Sequence, residues 1–363
     1  MSLSGREGAS IAVVLGTRPE IIKLAPIVDL LGSAARVIYT GQHYDANMSQ
    51  VFFDEIGMKP PDVCLSIGGR SRASQIGSAV ERLAELFEAD RPNTVIVQGD
   101  TNSTLAGAIA ANCLGIPIVH VEAGLRSYDR LMPEEHNRVM TDHIADLLLA
   151  PTTIAVEHLR QENIRMPTVE TGNTVVESVH RLLPDVTERE HILEVAGLQE
   201  GAFFLATFHR PENVDDVDRL GHILQELGGL NKPVVIPLHP RTLDRVTDAG
   251  LGSLLNALAV MEPIGYSKFL AFAASAACLI SDSGGIQEEA SVLRRPIVVV
   301  RGSTERPEIL GTFGEITNTP SAIGELVSEL TTNDRLDTIR NAPIPYGDGT
   351  AAAQSVAAIA RFL

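Results

Sequence analysis

Short β-branched runs alternate with helical segments along the whole chain, and this alternation restricts the fold more than any other feature. The runs lie at 11–15, 37–39, 94–97, 118–121, 147–149, 203–207, 234–237, 279–281 and 297–300. Most are bounded by Gly, Pro or polar residues, as expected of parallel strands buried on both faces. Amphipathic or capped segments stand between them, such as 71–88, 102–114, 154–162 and 266–276. The Ala-rich tail 349–363 reads as a final helix. The pattern predicts an α/β fold built of doubly wound parallel sheets. At 363 residues the chain exceeds one ordinary domain, so two are expected. Their junction is placed between Thr171 and Thr187, where a helix leads to Pro184 and a charged stretch.

The informative polar residues sit where strands end, and in open α/β sheets the carboxyl ends of strands form the ligand crevice. In the first half these are Gly16-Thr17-Arg18-Pro19-Glu20, Gln98-Gly99-Asp100-Thr101-Asn102-Ser103-Thr104 and His120-Val121-Glu122-Ala123-Gly124-Leu125-Arg126. In the second half they are His209-Arg210-Pro211-Glu212-Asn213 and Pro237-Leu238-His239-Pro240. Both halves are expected to point polar groups toward a shared cleft.

The run Ser281-Asp282-Ser283-Gly284-Gly285-Ile286-Gln287-Glu288-Glu289 joins an apolar stretch to a helical one. Ser283 is a natural N-cap. Gly284 and Gly285 let an anion approach the exposed amides of the first turn. Glu289 follows Gly285 by four residues, on the same helix face, and its carboxylate suits a ribose diol. Phosphate donors beside a diol acceptor describe a nucleoside diphosphate site.

Charge and cysteine content narrow the partners. With 46 acidic against 29 basic residues and a net charge of −17, the chain offers no basic stripe for nucleic acid. The same charge repels a diphosphate, so such a site must gather its arginines locally. Cys64, Cys113 and Cys278 have no metal-ligand spacing and read as buried thiols in a reducing compartment. No signal peptide or membrane-spanning stretch is visible, and the cytoplasm is the expected location.

Together with Pro133-Glu134-Glu135, Asn137-Arg138 and Thr304-Glu305-Arg306-Pro307-Glu308, these motifs resemble the non-hydrolysing UDP-N-acetylglucosamine 2-epimerases. The likeness runs in the family's order over nearly the whole chain. It implies a glycosyltransferase-B type fold: two Rossmann-like doubly wound domains facing a central cleft. The first would span 1–172, with the helix 350–363 packing back on it, and the second, UDP-binding, 173–349. The resemblance further implies a UDP-N-acetylhexosamine substrate, UDP as leaving group, no cofactor, no metal and a homodimer.

By the same resemblance, Asp100, Glu122 and Glu134 match acidic residues of proton transfer, and His209 a histidine near the diphosphate. Arg18 would contact the leaving diphosphate with Lys23 nearby. Ser283, Gly284 and Gly285 match the phosphate turn, and Glu289 the ribose ligand. Arg138 and Arg306 match arginines near the site, and His239 is a weaker substrate-binding candidate. Gln42, His43 and Arg70 match a second, activating substrate site. Asp45 and Pro211 depart from the family pattern there, so weak or absent substrate activation is expected.

Plainer readings stand beside these. Asp100 has the position of an N-cap for a helix at Asn102. Glu134 and Glu135 both suit a first helical turn, and being adjacent they cannot share a face. His209 suits a loop, Arg18 a surface ion pair, His239 a structural place between prolines, and His120 the end of a buried strand. Glu122 directly follows an apolar strand and would be poorly solvated unless it lined a cavity. Rival functions are a hydrolysing 2-epimerase that releases UDP, a UDP-sugar glycosyltransferase of the same fold, and a non-catalytic nucleotide-sugar sensor.

Overall fold

The computed structural model describes residues 10–42, 52–238 and 240–363. His43, Asp45 and His239 lie outside them. The chain forms two compact units, Met1–Ser178 with Tyr346–Leu363, and Val179–Pro345. Among the described residues no helix is long and apolar enough to cross a membrane.

The first unit holds a seven-stranded sheet. Its strands are β1 (Ile11–Leu15), β2 (Ala35–Tyr39), β3 (Val63–Cys64), β4 (Thr94–Gln98), β5 (Ile118–Val121), β6 (Leu147–Ala150) and β7 (Thr168–Glu170), in the order β3-β2-β1-β4-β5-β6-β7. All neighbours run parallel, with Ile11 opposite Ala35 and Gln98 opposite Val121. The order reverses between β1 and β4. The Gly16 and Gly99 turns therefore leave the sheet side by side in opposite directions, which opens a crevice at a topological switch point. The helix Asn102–Cys113 is Ala-rich and buried on most sides, and its Ala106, Ala108, Ala110 and Ala111 join the core of Val14, Val95, Val97 and Ile118. The last helix, Ala351–Phe362, belongs to this unit and packs on Arg18–Leu31.

The second unit repeats the plan with six parallel strands. These are β8 (Phe204–Thr207), β9 (Val234–Pro237), β10 (Ala259–Met261), β11 (Cys278–Ser281), β12 (Ile297–Val300) and β13 (Gly314–Thr317), in the order β10-β9-β8-β11-β12-β13. Here the switch lies between β8 and β11. Its core gathers Phe204, Ala206, Ile236, Ile280, Val298 and Val300 with Ile223, Leu227 and Val327 from the helices.

Two expectations are corrected. Cys64 and Cys113 are exposed, and only Cys278 is buried. Cys64 lies on the edge strand β3 and Cys113 is the last residue of its helix, so neither has a full shell of neighbours. Asp100 does not cap the helix at Asn102. Thr101 does, its hydroxyl accepting from the Thr104 amide at 3.1 Å.

Candidate active site

In the first unit the β1 and β4 turns are clamped together by one carboxylate. Glu20, in the first turn of Arg18–Leu31, is buried. Its Oε2 accepts from the Gly16 amide at 2.9 Å and the Thr17 hydroxyl at 2.8 Å. Its Oε1 accepts from the hydroxyls of Thr101 at 2.9 Å and Thr104 at 3.2 Å. Each oxygen thus serves one turn, and the two turns carry Arg18 and Asp100. Burial outweighs these bonds and pushes the Glu20 carboxyl up to about 7.

That shift sets a pH dependence. Folded Glu20 keeps its proton to about pH 7, whereas an unfolded glutamate releases it near 4.5. The contribution, on the order of 3 kcal/mol, is fully present below pH 4.5 and is lost as pH rises through 7. Glu20→Gln removes the titration and keeps an acceptor and a donor. Denaturant titrations of both proteins at pH 4.5 and 8 are expected to show wild type losing roughly that much relative to the variant. A constant difference between the two proteins would contradict the assignment.

Asp100 and Glu122 leave the adjacent ends of β4 and β5. Asp100 Oδ2 accepts from Arg138 Nε at 3.1 Å and Nη2, and its carbonyl accepts from Asn137 Nδ2 at 2.9 Å. Glu122 is buried and sits at φ +68°, in the left-handed region where a side chain is strained. Its Oε2 accepts from the buried Lys23 ammonium at 2.6 Å and from Gln98 Nε2 at 2.8 Å. Asn173 Nδ2 stands 3.4 Å from the same atom. Lys23 is therefore a partner of Glu122.

The two neighbouring glutamates of the helix Pro133–Ile144 part company. Glu135 is buried, accepting from the Ser127 and Tyr128 amides and the Ser127 hydroxyl at 2.9–3.0 Å, and from Arg138. Burial opposes its charge, but these donors hold its carboxyl below the usual range. Glu134 is half-buried, and its side chain has no hydrogen bond or ion pair among the described residues.

Behind the site, His120 is fully buried, Nδ1 against Asp142 at 2.7 Å and Nε2 against the Gly99 carbonyl at 2.8 Å. Asp142 also accepts from the Gly124 amide at 3.1 Å and from Arg126 at 2.7 Å, and Arg126 makes a two-pronged bond to Glu162. Burial alone would raise the Asp142 carboxyl, yet His120 and Arg126 lower it. Thus His120 does more than satisfy a backbone group. It ties β5 to the Gly99 turn and the Pro133–Ile144 helix.

Arg18 is exposed, its guanidinium 5.3 Å from the centre of the Phe52 ring. Gln42 Oε1 accepts from the Ser103 amide at 3.1 Å and hydroxyl at 2.9 Å, so it caps the same helix start. Exposed Arg70 donates to the Ser78 hydroxyl at 2.7 Å. Pro211 opens the short helix Pro211–Val214.

In the second unit the predicted turn begins the helix Gly284–Val292 with Ser283 at the N-cap position. The Ser283 side chain makes no cap bond, and its amide donates to the Ser281 hydroxyl at 3.1 Å. Glu289 is buried and accepts from the Tyr266 hydroxyl at 2.8 Å. Glu288 pairs with the buried Arg306, and Arg301 pairs with Glu305 at 2.8 Å. Glu305 lies so close to Gly284 that a Cβ there would stand 2.4 Å from its Oε1. At the β8–β11 switch, buried Asp282 takes up the His209-Arg210 turn.

Several of these partners escaped the sequence reading. Glu20, Gln98, Glu305 and Asp282 stood inside recognised motifs without a role, while Asn173, Asp142, Tyr266 and Arg301 carried no local signal.

A protein-family model described as UDP-N-acetylglucosamine 2-epimerase matches residues 32–360. The chain is 39% identical to the UDP-N-acetylglucosamine 2-epimerase of Methanococcus maripaludis over 93% of its own length and 95% of that protein's. It is 36% identical to the UDP-2,3-diacetamido-2,3-dideoxy-D-glucuronate 2-epimerase of Pseudomonas aeruginosa, over 83% and 85% of the two chains. The solved structure of Methanocaldococcus jannaschii UDP-GlcNAc 2-epimerase in complex with UDP-GlcNAc and UDP matches with a TM-score of 0.87 at 35% identity, covering 98% of this chain and 100% of that one.

Proposed function

The chain belongs to the UDP-N-acetylglucosamine 2-epimerase family, and from that premise we propose that it interconverts UDP-N-acetylglucosamine and UDP-N-acetylmannosamine without hydrolysis. C2 of the sugar has no neighbouring carbonyl to acidify its proton. Breaking the C1–O bond, with the electron pair leaving on the diphosphate oxygen, gives C1 oxocarbenium character and acidifies that proton. A carboxylate takes it, leaving 2-acetamidoglucal and UDP. A proton then reaches the opposite face of C2, the UDP oxygen re-forms its bond to C1, and the manno epimer results. The balance closes without oxidant, reductant or metal.

The observation that carries this reading is Glu122. A carboxylate buried in a left-handed backbone position, under an ammonium and two side-chain amides, is a costly arrangement. It supports a group pre-organised for proton transfer. Asp100, at the end of the next strand, and the half-buried Glu134 are the other candidates for the two faces of C2. The Gly284 and Gly285 amides take the diphosphate, Glu289 the ribose, and Arg18, His209 and Arg306 offset the leaving charge. UDP-N-acetylglucosamine is preferred to the diacetamido-glucuronate sugar because the family description and the Methanococcus relative name it.

Calorimetry tests the nucleotide assignment. Glu289→Gln is expected to weaken UDP binding by about tenfold while leaving inorganic diphosphate binding nearly unchanged, since one charge-assisted bond to the ribose is lost. Equal losses for both ligands would refute the ribose role.

A further inference from the structure

We infer that Asp282 is a positioning residue for His209: it fixes the imidazole as the Nδ1–H tautomer and thereby presents Nε2 to the leaving diphosphate. The inference rests on the epimerase reading for its purpose, although its geometry does not.

Asp282 lies at the end of β11 and His209 at the end of β8, the two strands on either side of the second unit's switch point. The Asp282 side chain is fully buried, whereas that of His209 is 62% exposed. Asp282 Oδ2 accepts from the Arg210 amide at 3.0 Å and from Asn213 Nδ2 at 3.0 Å. The His209 amide lies 3.2 Å from both carboxylate oxygens. Oδ1 then stands 3.0 Å from His209 Nδ1. Burial opposes ionisation, but the His209 imidazole first, and then Asn213 and the Arg210 amide, hold the Asp282 carboxyl below its usual range, so the ionised, acceptor-only carboxylate and a ring hydrogen facing it support each other. The ring nitrogen facing an acceptor-only atom must carry hydrogen. Nδ1 therefore donates, and Nε2 is left on the exposed side of the ring.

This orientation matters chemically. With Nδ1–H tied to Asp282, the Nε2 lone pair can take a proton from solvent. The imidazolium so formed is stabilised by the carboxylate behind it, and its Nε2–H can be donated to the diphosphate oxygen as the C1–O bond breaks. Without that carboxylate the ring is free to turn or to adopt the other tautomer.

The variant Asp282→Asn is expected to reverse the tautomer. An asparagine has one acceptor and one donor. Its oxygen is required at the Oδ2 position, where Arg210 N and Asn213 Nδ2 point in. Its Nδ2 then faces His209 Nδ1, which must accept, so the ring is driven to the Nε2–H tautomer. The turn keeps its backbone bonds while the face shown to the ligand is reversed.

The test is ring nitrogen NMR on histidine-labelled protein, with the His209 signals assigned by their loss in His209→Gln. Wild type is expected to show the Nδ1–H form, and Asp282→Asn the Nε2–H form. Turnover of Asp282→Asn should fall about 10–100-fold with UDP affinity changed less than about twofold. In a His209→Gln background the same substitution should cost nothing further. A wild-type ring in the Nε2–H form, or in a mixture of forms, would overturn the inference, and that result stands even if Asp282→Asn does not fold. A full additional loss in the His209→Gln background would make Asp282 merely structural. Wild-type protein that shows the expected tautomer but does not turn over UDP-N-acetylglucosamine would instead sink the epimerase reading and leave the positioning intact.

Discussion

Glu122→Gln is expected to lower turnover by about 10²–10⁴-fold, the range for a group that transfers a proton directly. The same substitution removes the carboxylate that faces the buried Lys23 ammonium at 2.6 Å. Breaking one side of a buried pair costs about 3–5 kcal/mol. Loss of activity and loss of stability therefore arrive together, and a second change separates them. Lys23→Met in the Glu122→Gln background replaces the stranded cation with an apolar chain of similar length and is expected to restore stability but not turnover. Recovery of turnover in the double variant would show that Glu122 only neutralises Lys23. Asp100→Asn should also fall by about 10²–10⁴-fold, and Glu134→Gln should do so with unchanged stability, because Glu134 strands no partner among the described residues.

A loss of stability of the same size is expected at Gly124. This residue lies two positions after Glu122 at φ +84°. A Cβ there would stand 2.3 Å from the Ala155 carbonyl oxygen, a backbone atom that cannot swing aside. Gly124 also donates its amide to Asp142 and accepts from His158 at 2.9 Å. Gly124→Ala adds a positive-φ penalty to a backbone clash, and is expected to cost on the order of 3–5 kcal/mol. Gly115 separates the two terms. It has φ +61°, and a methyl group there would meet nothing within 4 Å, so Gly115→Ala should cost only about 1 kcal/mol. Denaturant midpoints that move equally for both variants would remove the clash from the explanation.

The interior of both sheets was legible because interior strands are buried on both faces. Runs such as Ile11–Leu15 and Ile297–Val300 are continuous and apolar for that reason. The strands that escaped are β3, β7, β10 and β13, and each is an outermost strand. Their sequences, VC, TVE, AVM and GEIT, are short and partly exposed. An edge strand has one neighbour and a solvated flank, and so carries no apolar signature. The motif residues stand at strand ends because turn chemistry is local. What each side chain touches is not local. Whether Glu134 or Glu135 turns inward depends on where the Ser127 and Tyr128 amides and Arg138 lie. Likewise the Glu20 clamp joins residues 16–20 to residues 101–104, a pairing set by the β1–β4 neighbourhood and written in neither segment.

Proton NMR in heavy water, with UDP-N-acetylglucosamine as sole substrate, tests the central claim most directly. Elimination and re-addition predict that UDP-N-acetylmannosamine appears, that deuterium enters C2 of both epimers, and that free UDP does not accumulate. Manno epimer that keeps protium at C2, or UDP released in step with substrate consumed, would contradict it.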